Sequence, residues 1–406
     1  MKYMVNNIKT RRAKFLEKIN NNSIVILFSG KHNPNTNDDF FVNRNFFYLS
    51  NISQENSYLV FLKKNNKFEE YIFIDKQDKK LEKWFGKKLS SIDVNAISGI
   101  KKNNILTNDI FEKKINFLLQ ENKIENIYLD LHNNENVINE IKTKYSNYKI
   151  FDCYAIISEL RMIKDDCEIN NVIKAINITN LGFKRIIREL KLKKNNKKEF
   201  EIFNAFNNEI LNHGTHEIAF KSIIASGINA CYLHYPTPYA TILKNDLLLC
   251  DVGSAFNHYA SDITRTIPVN GKFSQQQKKI YEIVLACNKK IIELIKPGIT
   301  IEYLQKKAKS FLSQQCLEKK IIKKKFEINK YYYHNVSHYL GLDVHDVCVK
   351  TKLKPGMVIT VEPGLYIKEK KIGIRIEDDI LITKNGHKCL SSMIAKEIKD
   401  IEKLYL

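Results

Sequence analysis

Two pairs of acidic residues in apolar, strand-like segments are the groups in this sequence best suited to chemistry. The first pair is Asp251 and Asp262, in segments joined by a short loop. A hairpin centred between Phe256 and Asn257 predicts that the two carboxylates face each other. Opposed residues on one face have Cβ atoms about 5 Å apart, so two like charges there need a cation or a shared proton.

A second acidic pair repeats this arrangement. Glu362 follows the apolar segment Met357–Val361, and Glu377 follows Ile372–Ile376. A turn near Glu369–Lys370 predicts that Glu362 lies opposite Glu377. Because buried unpaired carboxylates are costly, four of them in apolar strands indicate a site for divalent metal.

Histidines near these segments could complete a metal site. His334, His338 and His345 fall in one short segment, and His234 lies in a separate stretch. Oxygen-rich ligation with one imidazole suits Mn²⁺, Co²⁺, Fe²⁺ or Zn²⁺, and ligand type alone does not choose among them. The other six histidines lack this context and are predicted to be structural: His32, His132, His213, His216, His258 and His387.

The elements that position these residues follow a repeated order. From Asp165 or Asp166, either of which suits a helix N-cap, the pattern predicts a helix pair and then strands from Ser222 to Val269. A capping box at Ser274–Gln277 starts a second helix pair, and strands return from Val349 to Thr383. The second part of the chain is therefore predicted to have a duplicated architecture.

The first part of the chain, up to about residue 160, has the pattern of an α/β unit. Four apolar runs predict strands at Ser23–Phe28, Tyr58–Leu62, Tyr71–Ile74 and Asn126–Asp130, the middle two joined by a polar turn at Lys63–Lys67. A length of 406 residues favours two domains, 1–160 and 161–406, each mixing helices and strands.

Composition narrows the class of protein. The formal charge is +21, but the lysines are spread along the chain and form no basic arm, so nucleic acid is not the expected partner. The eight cysteines form no C-x-x-C motif, which predicts reduced thiols in a reducing compartment. We find no signal-like segment and no run of about 20 apolar residues, so we expect a cytoplasmic protein without a membrane partner.

The sequence resembles the pita-bread metallopeptidases, a family that includes methionine aminopeptidase, prolidase and aminopeptidase P. The candidate ligands occur in that family's order: Asp251, Asp262, His338, Glu362 and Glu377. Four strings resemble the proline-recognising branch, aminopeptidase P, in particular: Asp262–Thr266, Ser337–Asp346, Val361–Tyr366 and Gly373–Asp379. The segment from Arg11 to Leu49 is similar to the start of that branch's N-terminal domain.

The resemblance implies a creatinase-like α/β domain followed by a pita-bread catalytic domain with pseudo-twofold helix-pair and hairpin repeats. It implies that the five ligands hold two divalent ions, with Mn²⁺ as the expected metal. It also implies further roles: catalytic for His234, His334, His345, Glu362 and Arg375, and substrate-binding for His234, His345, Tyr366 and Arg375.

By the same resemblance, the substrates are peptides with proline at the second position, and the protein is a homo-oligomer, either a dimer or a tetramer. The implied reaction is hydrolysis of the N-terminal Xaa-Pro bond by a hydroxide that bridges two metals about 3.5–4 Å apart. Two departures from the family pattern concern the pocket rim. They are Asn335, where Gly is usual, and Cys348, where a Gly-containing turn is usual.

Two other functions stay open. A prolidase would cut only Xaa-Pro dipeptides and would need a cation at the pocket end for the carboxylate, although Ser337 before His338 favours aminopeptidase P. A catalytically inactive pita-bread module that binds protein or nucleic acid would fit the charge of +21, but such a module is expected to have lost ligands. Other enzyme signatures are absent: H-E-x-x-H, G-x-x-x-x-G-K-[ST] and G-x-S-x-G.

Overall fold

The computed structural model describes residues 2–32, 40–192, 196–214 and 217–406. The chain divides into two compact units, Met1–Arg161 and Met162–Leu406. Both units mix helices and strands, as the sequence predicts. His216 lies outside the described residues, so its structural role stays a prediction.

The first unit contains six strands and seven helices among its described residues. The strands are β1 (Ser23–Phe28), β2 (Tyr58–Lys64), β3 (Lys67–Ile74), β4 (Ile105–Thr107), β5 (Asn126–Leu129) and β6 (Lys149–Asp152). The helices are α1 (Lys2–Glu17), α2 (Arg44–Ser50), α3 (Lys79–Phe85), α4 (Ser91–Ser98), α5 (Phe111–Glu121), α6 (Glu135–Lys144) and α7 (Tyr154–Met162), the last ending one residue into the second unit.

These six strands form one sheet with the order β4-β3-β2-β1-β5-β6. All four predicted strands are present, and β4 and β6 are short strands that the sequence pattern did not indicate. The predicted turn between β2 and β3 is shorter in the structure, because Asn65 and Asn66 alone connect the strands. Both have positive φ, which asparagine tolerates in a two-residue hairpin turn. Helices α5 and α6 pack their apolar faces against β1, β2 and β5.

The second unit repeats a helix pair followed by strands, as predicted. Its helices are α8 (Asp166–Lys191), α9 (Glu199–Asn212), α10 (Gln275–Leu294), α11 (Ile301–Glu318) and α12 (Ile398–Lys403). Its strands are β7 (Ile223–Ser226), β8 (Leu247–Val252), β9 (Ala255–Phe256), β10 (Tyr259–Ala260), β11 (Ile263–Pro268), β12 (Val358–Val361), β13 (Gly364–Ile367), β14 (Ile372–Arg375), β15 (Asp378–Ile382) and β16 (His387–Cys389).

Local signals set the helix starts of this unit. Of the two candidate caps for α8, Asp165 is the N-cap and Asp166 is the first helical residue. The predicted capping box of Ser274 and Gln277 at the start of α10 is confirmed. The strands expected from Val349 begin only at Val358, because Pro355 and Gly356 form a turn just before β12. Likewise, residues 227–246 contain no strand, so the strands expected from Ser222 to Val269 are interrupted.

The strands of the second unit form several small sheets. The larger two have the orders β11-β8-β7 and β12-β15-β16, and β9–β10 and β13–β14 are two-stranded. Of the acidic residues singled out above, Asp251 lies in β8, and Asp262, Glu362 and Glu377 lie just outside strand ends. Across the described ranges, no helix is both long enough and apolar enough to span a bilayer.

Candidate metal centre and active site

Strands β8 and β11 form the first carboxylate hairpin, and the predicted register is wrong by two residues. Asp251 pairs with Thr264 and not with Asp262. The turn is Asn257–His258, both with positive φ, so the hairpin centre lies one residue later than predicted. Because side chains alternate with a period of two, the shift leaves Asp262 on the same face as Asp251, diagonally across the hairpin.

The second hairpin has the predicted register. The β12–β15 and β13–β14 ladders have the same register. This register sets Glu362 opposite Glu377 in the gap between the two ladders. Within this gap the backbone N–H groups donate hydrogen bonds to other segments of the chain. Glu377 N–H donates to Thr264 O at 3.1 Å, and Glu362 N–H donates to Val336 O at 2.9 Å. The bond to Thr264 joins the second hairpin to the first.

His338 reaches the carboxylates because its segment runs alongside β12. Thr360 N–H donates to His338 O at 2.9 Å, which fixes this alignment. The imidazole Nδ1 lies 3.0 Å from the carbonyl oxygen of Tyr339, so Nδ1 carries the proton in the assigned tautomer. Its Nε2 is then a free lone pair, 3.3 Å from Asp262 Oδ2.

Four of the predicted ligands meet around this nitrogen. Asp262, His338 and Glu377 each offer one ligand atom, and these atoms lie within 4.8 Å of one another. Glu362 Oε1 lies 3.6 Å from His338 Nε2. Thr264 Oγ1 donates to Glu377 Oε2 at 2.6 Å and orients that carboxylate. The donor set, rich in oxygen with one imidazole, fits divalent first-row metals.

Asp251 completes the acidic group. Its Oδ2 accepts a hydrogen bond from Arg375 Nη2 at 2.5 Å. Its Oδ1 is buried and has no hydrogen-bond partner among the described residues. Since buried polar atoms are nearly always satisfied, an orphaned carboxylate oxygen beside other acidic groups fits a bound cation.

A chain of hydrogen bonds leads from Asp251 to His334. Arg375 Nη1 donates to the hydroxyl of Tyr366 at 3.0 Å, and that hydroxyl lies 2.9 Å from His334 Nε2. His334 Nδ1 lies 2.7 Å from Asn335 O. Both ring nitrogens of His334 are therefore engaged, with Nδ1 as the donor and Nε2 as the acceptor.

A cavity of about 690 Å³ lies over these groups. Nine of the ten predicted site residues line it: His234, Asp251, Asp262, His334, His338, His345, Glu362, Arg375 and Glu377. The exception is Tyr366, which is buried behind His334 and Arg375. Of the two departures from the family pattern, Asn335 lines the cavity and Cys348 does not. The five other described histidines, predicted to be structural, are not among the lining residues.

The two parts of the chain match two known sequence families. Residues 170–384 match metallopeptidase family M24, and residues 8–128 match the aminopeptidase P N-terminal domain. The chain belongs to metallopeptidase family M24. This result confirms the resemblance inferred from the motifs.

Individual M24 relatives cover nearly all of the chain. A Xaa-Pro aminopeptidase of Haemophilus influenzae is 34% identical over 97% of this chain and 96% of the relative. A solved structure of zinc-substituted Escherichia coli aminopeptidase P in complex with product has a TM-score of 0.89 and 28% identity, covering 99% of this chain and 98% of that one. A Xaa-Pro dipeptidase of Pyrococcus horikoshii is 37% identical over 63% of this chain and 69% of the relative. The predicted two-domain architecture of mixed helix and sheet is confirmed by the aminopeptidase P structures.

Burial and mutual repulsion dominate the electrostatics of this M24 site. Burial raises the pKa of Asp262 well above its usual range, and the charges of Asp251, Asp379 and Glu362 raise it further. Burial likewise raises the pKa of Glu377, and the Asp262 carboxylate adds to the effect. Burial raises the pKa of Glu362 to about 7, although His338 and Arg375 act to lower it. The acidic groups outnumber the cations that the chain supplies, and divalent metal would correct this excess.

The histidines of the M24 site are neutral at physiological pH where a shift is resolved. Burial lowers the pKa of His334 to about 3, and the charge of Arg375 contributes. Burial and the neighbouring His338 lower the pKa of His345, whose ring lies 4.4 Å from that of His338. His234 is exposed on the loop between β7 and β8 and also lines the cavity.

Several residues around the M24 site were missed by sequence reasoning. Lys164 Nζ lies 2.9 Å from Asp346 Oδ2, and this buried ion pair adjoins His345. Asp379 Oδ2 accepts a hydrogen bond from the backbone of Asp262 at 3.2 Å. Lys221 lines the cavity. The Asp378-Asp379 doublet after Glu377 was a visible signal, whereas a lysine more than 170 residues away from its partner gave none.

Proposed function

We propose that this chain is a metal-dependent aminopeptidase that hydrolyses the N-terminal Xaa-Pro bond of peptides. The observation that carries the proposal is the convergence of Asp251, Asp262, His338, Glu362 and Glu377 beneath one cavity, with one buried Asp251 oxygen left without a partner. The full-length similarity to Xaa-Pro aminopeptidases supports the reaction and the substrate class.

These five residues would hold two divalent ions, and we propose Mn²⁺ as the physiological metal. Co²⁺, Fe²⁺ and Zn²⁺ suit the same donors. When bound, such ions polarise a carbonyl oxygen and lower the pKa of water so that hydroxide is available near neutral pH. The tautomer of His338 supports its role, because Nδ1–H is held by Tyr339 O and Nε2 remains free.

The other side chains would handle protons and developing charge. Glu362 is suited to accept a proton from the attacking water and return it to the proline nitrogen, because its carboxylate lines the cavity beside the other candidate ligands. His234 and His345 line the cavity and would donate hydrogen bonds to the carbonyl oxygen as negative charge develops on it. Arg375, Tyr366 and His334 form a hydrogen-bonded chain that begins at Asp251.

Proline at the second position has a physical reason in this scheme. The Xaa-Pro bond is a tertiary amide without an N–H, so a peptidase that requires this donor binds the substrate poorly. A site that makes no use of the donor can specialise in such bonds. The substrate's free amino group would bind near the acidic residues and fix cleavage after the first residue.

The test is a metal-reconstitution assay. Purified protein is treated with chelator, reconstituted with Mn²⁺, and assayed on Xaa-Pro-Yaa and Xaa-Ala-Yaa peptides. We expect release of the first residue only from the proline peptide and only with metal. Equal cleavage of both peptides, or cleavage unaffected by chelator, would refute the proposal.

A second candidate is prolidase, and one cavity residue favours it. Lys221 lies two residues before the start of β7 at Ile223, which pairs with Asp251, and both residues line the cavity. A lysine ammonium there could bind the carboxylate of a Xaa-Pro dipeptide. The similarity to the Pyrococcus Xaa-Pro dipeptidase is consistent with this alternative.

The two candidate functions can be distinguished by the length of the peptide that the enzyme prefers. An aminopeptidase P should show higher kcat/KM for Xaa-Pro-Yaa than for Xaa-Pro. A prolidase should prefer the dipeptide, and Lys221→Gln should remove the preference. Lys244→Gln is the matched control, since Lys244 is an exposed lysine outside the cavity lining.

We further propose a cytoplasmic, homo-oligomeric protein whose partners are peptides and not nucleic acid. All eight cysteines are free, which is consistent with a reducing compartment. Trp84 and Phe85 of α3 are 82% and 81% exposed, an unusual exposure that self-association would relieve. Sedimentation velocity would distinguish a dimer or tetramer from a monomer. The inactive-module alternative is disfavoured because all five ligand residues are retained.

A further inference from the structure

Glu199 is a buried acidic residue outside the catalytic cavity. It is the first residue of α9, and its side chain is 0% exposed. The described residues contain no ion pair to this carboxylate. It accepts hydrogen bonds from four groups instead: Ser226 N (2.7 Å), Ser226 Oγ (2.7 Å), Asn229 Nδ2 (3.2 Å) and Ala240 N (3.3 Å).

These bonds tie together the two ends of one loop, residues 227–239, which we call the His234 loop. Oε1 binds Ser226 and Asn229 at its start, and Oε2 binds Ala240 at its end. The backbone N–H of Glu199 also donates to Ala240 O at 3.0 Å. The Glu199 carboxylate therefore hydrogen-bonds to both ends of the loop and keeps them together.

The His234 loop supplies four residues to the cavity: Leu233, His234, Tyr235 and Pro236. From Tyr232 to Tyr239 the backbone forms no helix or strand, so regular secondary structure does not fix its course. Asn229 connects Glu199 to the middle of the loop, because its Nδ2 also donates a hydrogen bond to the Tyr235 hydroxyl at 3.1 Å. The His234 imidazole makes no hydrogen bond within the described part of the chain, so its position depends on the loop backbone.

A buried carboxylate is a costly way to fill space. An apolar side chain of similar size would avoid the cost of removing a charge from water. What the carboxylate offers is two acceptor oxygens that can bind several donors in fixed directions at once. Its four bonds all go to the loop and its two ends, which indicates that the carboxylate serves loop geometry.

We propose that Glu199 is a positioning residue that holds His234 against the carbonyl group of the substrate. The inference rests on the proposed function in one respect, because it assumes that His234 contacts the substrate during hydrolysis. Glu199 itself touches neither the substrate nor the metal ligands. Its effect on the reaction is transmitted through the closed loop.

The test is a double-mutant cycle between Glu199 and His234. Glu199→Gln keeps the shape but loses the charge and presents an amide to groups that need an acceptor. We expect kcat/KM to fall about 10- to 100-fold, the scale of a misplaced catalytic group, with most of the loss in kcat. In the His234→Ala background the same change should cost less than about twofold, because the residue it positions is gone.

Glu168→Gln is the matched control. Glu168 is also a buried carboxylate in the first turn of a helix, and it accepts a hydrogen bond from Tyr259 Oη at 2.9 Å. Neither residue lines the cavity. This variant should lower the melting temperature but leave kcat/KM within about twofold of the unmodified protein. Equal losses from Glu199→Gln in both His234 backgrounds would overturn the proposal.

Asn229→Ala covers the case in which Glu199→Gln does not fold. It removes one bond to Oε1 and the contact with Tyr235 but leaves the backbone bonds at Ser226 and Ala240 intact. We expect a smaller loss of kcat/KM, about three- to tenfold, again absent when His234 is alanine. A loss that persists in the His234→Ala background would contradict the proposal.

A readout that needs no catalysis separates this inference from the proposed function. In protein labelled at histidine, the NMR signals of the His234 ring can be assigned by their loss in His234→Ala. Glu199→Gln should shift these signals, and Glu168→Gln should not. If the protein fails to cleave Xaa-Pro peptides but the signals shift, the proposed function fails and the positioning role stands. Unshifted His234 signals in Glu199→Gln would refute the positioning role.

Discussion

Asp378 and the carboxylates of the candidate metal centre are all buried, yet the chain compensates their charges in opposite ways. Asp378 accepts hydrogen bonds from Arg265 Nη2 (2.8 Å), Lys396 Nζ (2.6 Å) and Ser391 Oγ (2.7 Å). Burial alone would raise its pKa, but Arg265 and Lys396 hold the pKa well below the usual range. Glu377, the preceding residue, has a pKa raised by burial and by nearby carboxylates.

This difference distinguishes Asp378, whose charge the chain compensates, from Asp262 and Glu377, which are candidate metal ligands. The chain supplies two cations to Asp378, so that residue is complete without metal. Around Asp262 and Glu377 it supplies chiefly Arg375, whose nearest carboxylate is Asp251. Buried charge has to be compensated, so the second region needs cations from outside the chain whereas the first does not.

The largest expected effect is that of Asp262→Asn on turnover. Loss of this ligand should lower kcat/KM by about 10³-fold or more, since metal polarisation is worth several kcal/mol in the transition state. The melting temperature in chelator should not fall, because asparagine resembles the protonated carboxyl group that burial favours. Kinetics with Mn²⁺ and thermal unfolding with chelator measure the two quantities. A variant that unfolds in chelator, or one that retains activity, would contradict the distinction.

Asp378→Asn should show the reverse pattern. Removing the charge leaves Arg265 and Lys396 buried without their partner, which should lower the free energy of unfolding by about 3–5 kcal/mol. Urea unfolding at pH 7 in chelator measures this change. A loss below about 1 kcal/mol would show that the paired carboxylate is not structurally more important than the unpaired ones.

The two hairpins show how far sequence could predict the site. The second hairpin was placed correctly because one register runs through β12–β15 and β13–β14. The first was misplaced because Asn257 and His258 form the turn in the left-handed region, without the glycine that usually marks it. The error did not move Asp262 to the other face, since a shift of two residues preserves the alternation.

Contacts between distant segments could not be predicted in the same way. The pair Lys164–Asp346 and the bonds from Glu199 to the His234 loop join residues whose local sequence gives no periodic signal. Register and capping are local and follow from turn chemistry and alternation. The buried polar contacts beside His345 and around the His234 loop depend on tertiary packing.

Metal and pH should act together on stability. In the metal-free protein the raised pKa values of Asp262 and Glu377 favour folding below the unfolded carboxyl pKa of about 4, and this contribution is lost as pH rises through the folded values. The lowered pKa of Asp378 contributes to the free energy of unfolding above about pH 4, so this contribution stays constant between pH 5 and 8. From pH 5 to 8 we therefore expect the metal-free melting temperature to fall and the gain on adding Mn²⁺ to grow.

The control for this pH dependence is Asp262→Asn, which should flatten both trends because one of the titrating groups is removed. Each unit of difference between folded and unfolded pKa is worth about 1.4 kcal/mol at full effect. A Mn²⁺ stabilisation that is independent of pH would show that the carboxylates are already ionised without metal.

The smallest expected effect comes from removing one of the two cations that pair with Asp378. Lys396 has 18% of its side chain exposed and also donates to Asn288 Oδ1 at 2.8 Å. Lys396→Met leaves Asp378 paired with Arg265, so we expect a loss of about 1–2 kcal/mol in unfolding free energy at pH 7, with kcat/KM unchanged within about twofold. Lys289→Met is the matched control, because Lys289 pairs with Glu397 at 2.6 Å in an exposed ion pair worth less than about 0.5 kcal/mol. If both variants lose the same small amount of unfolding free energy, Arg265 alone compensates the charge of Asp378. If only Lys396→Met loses stability, both cations are needed.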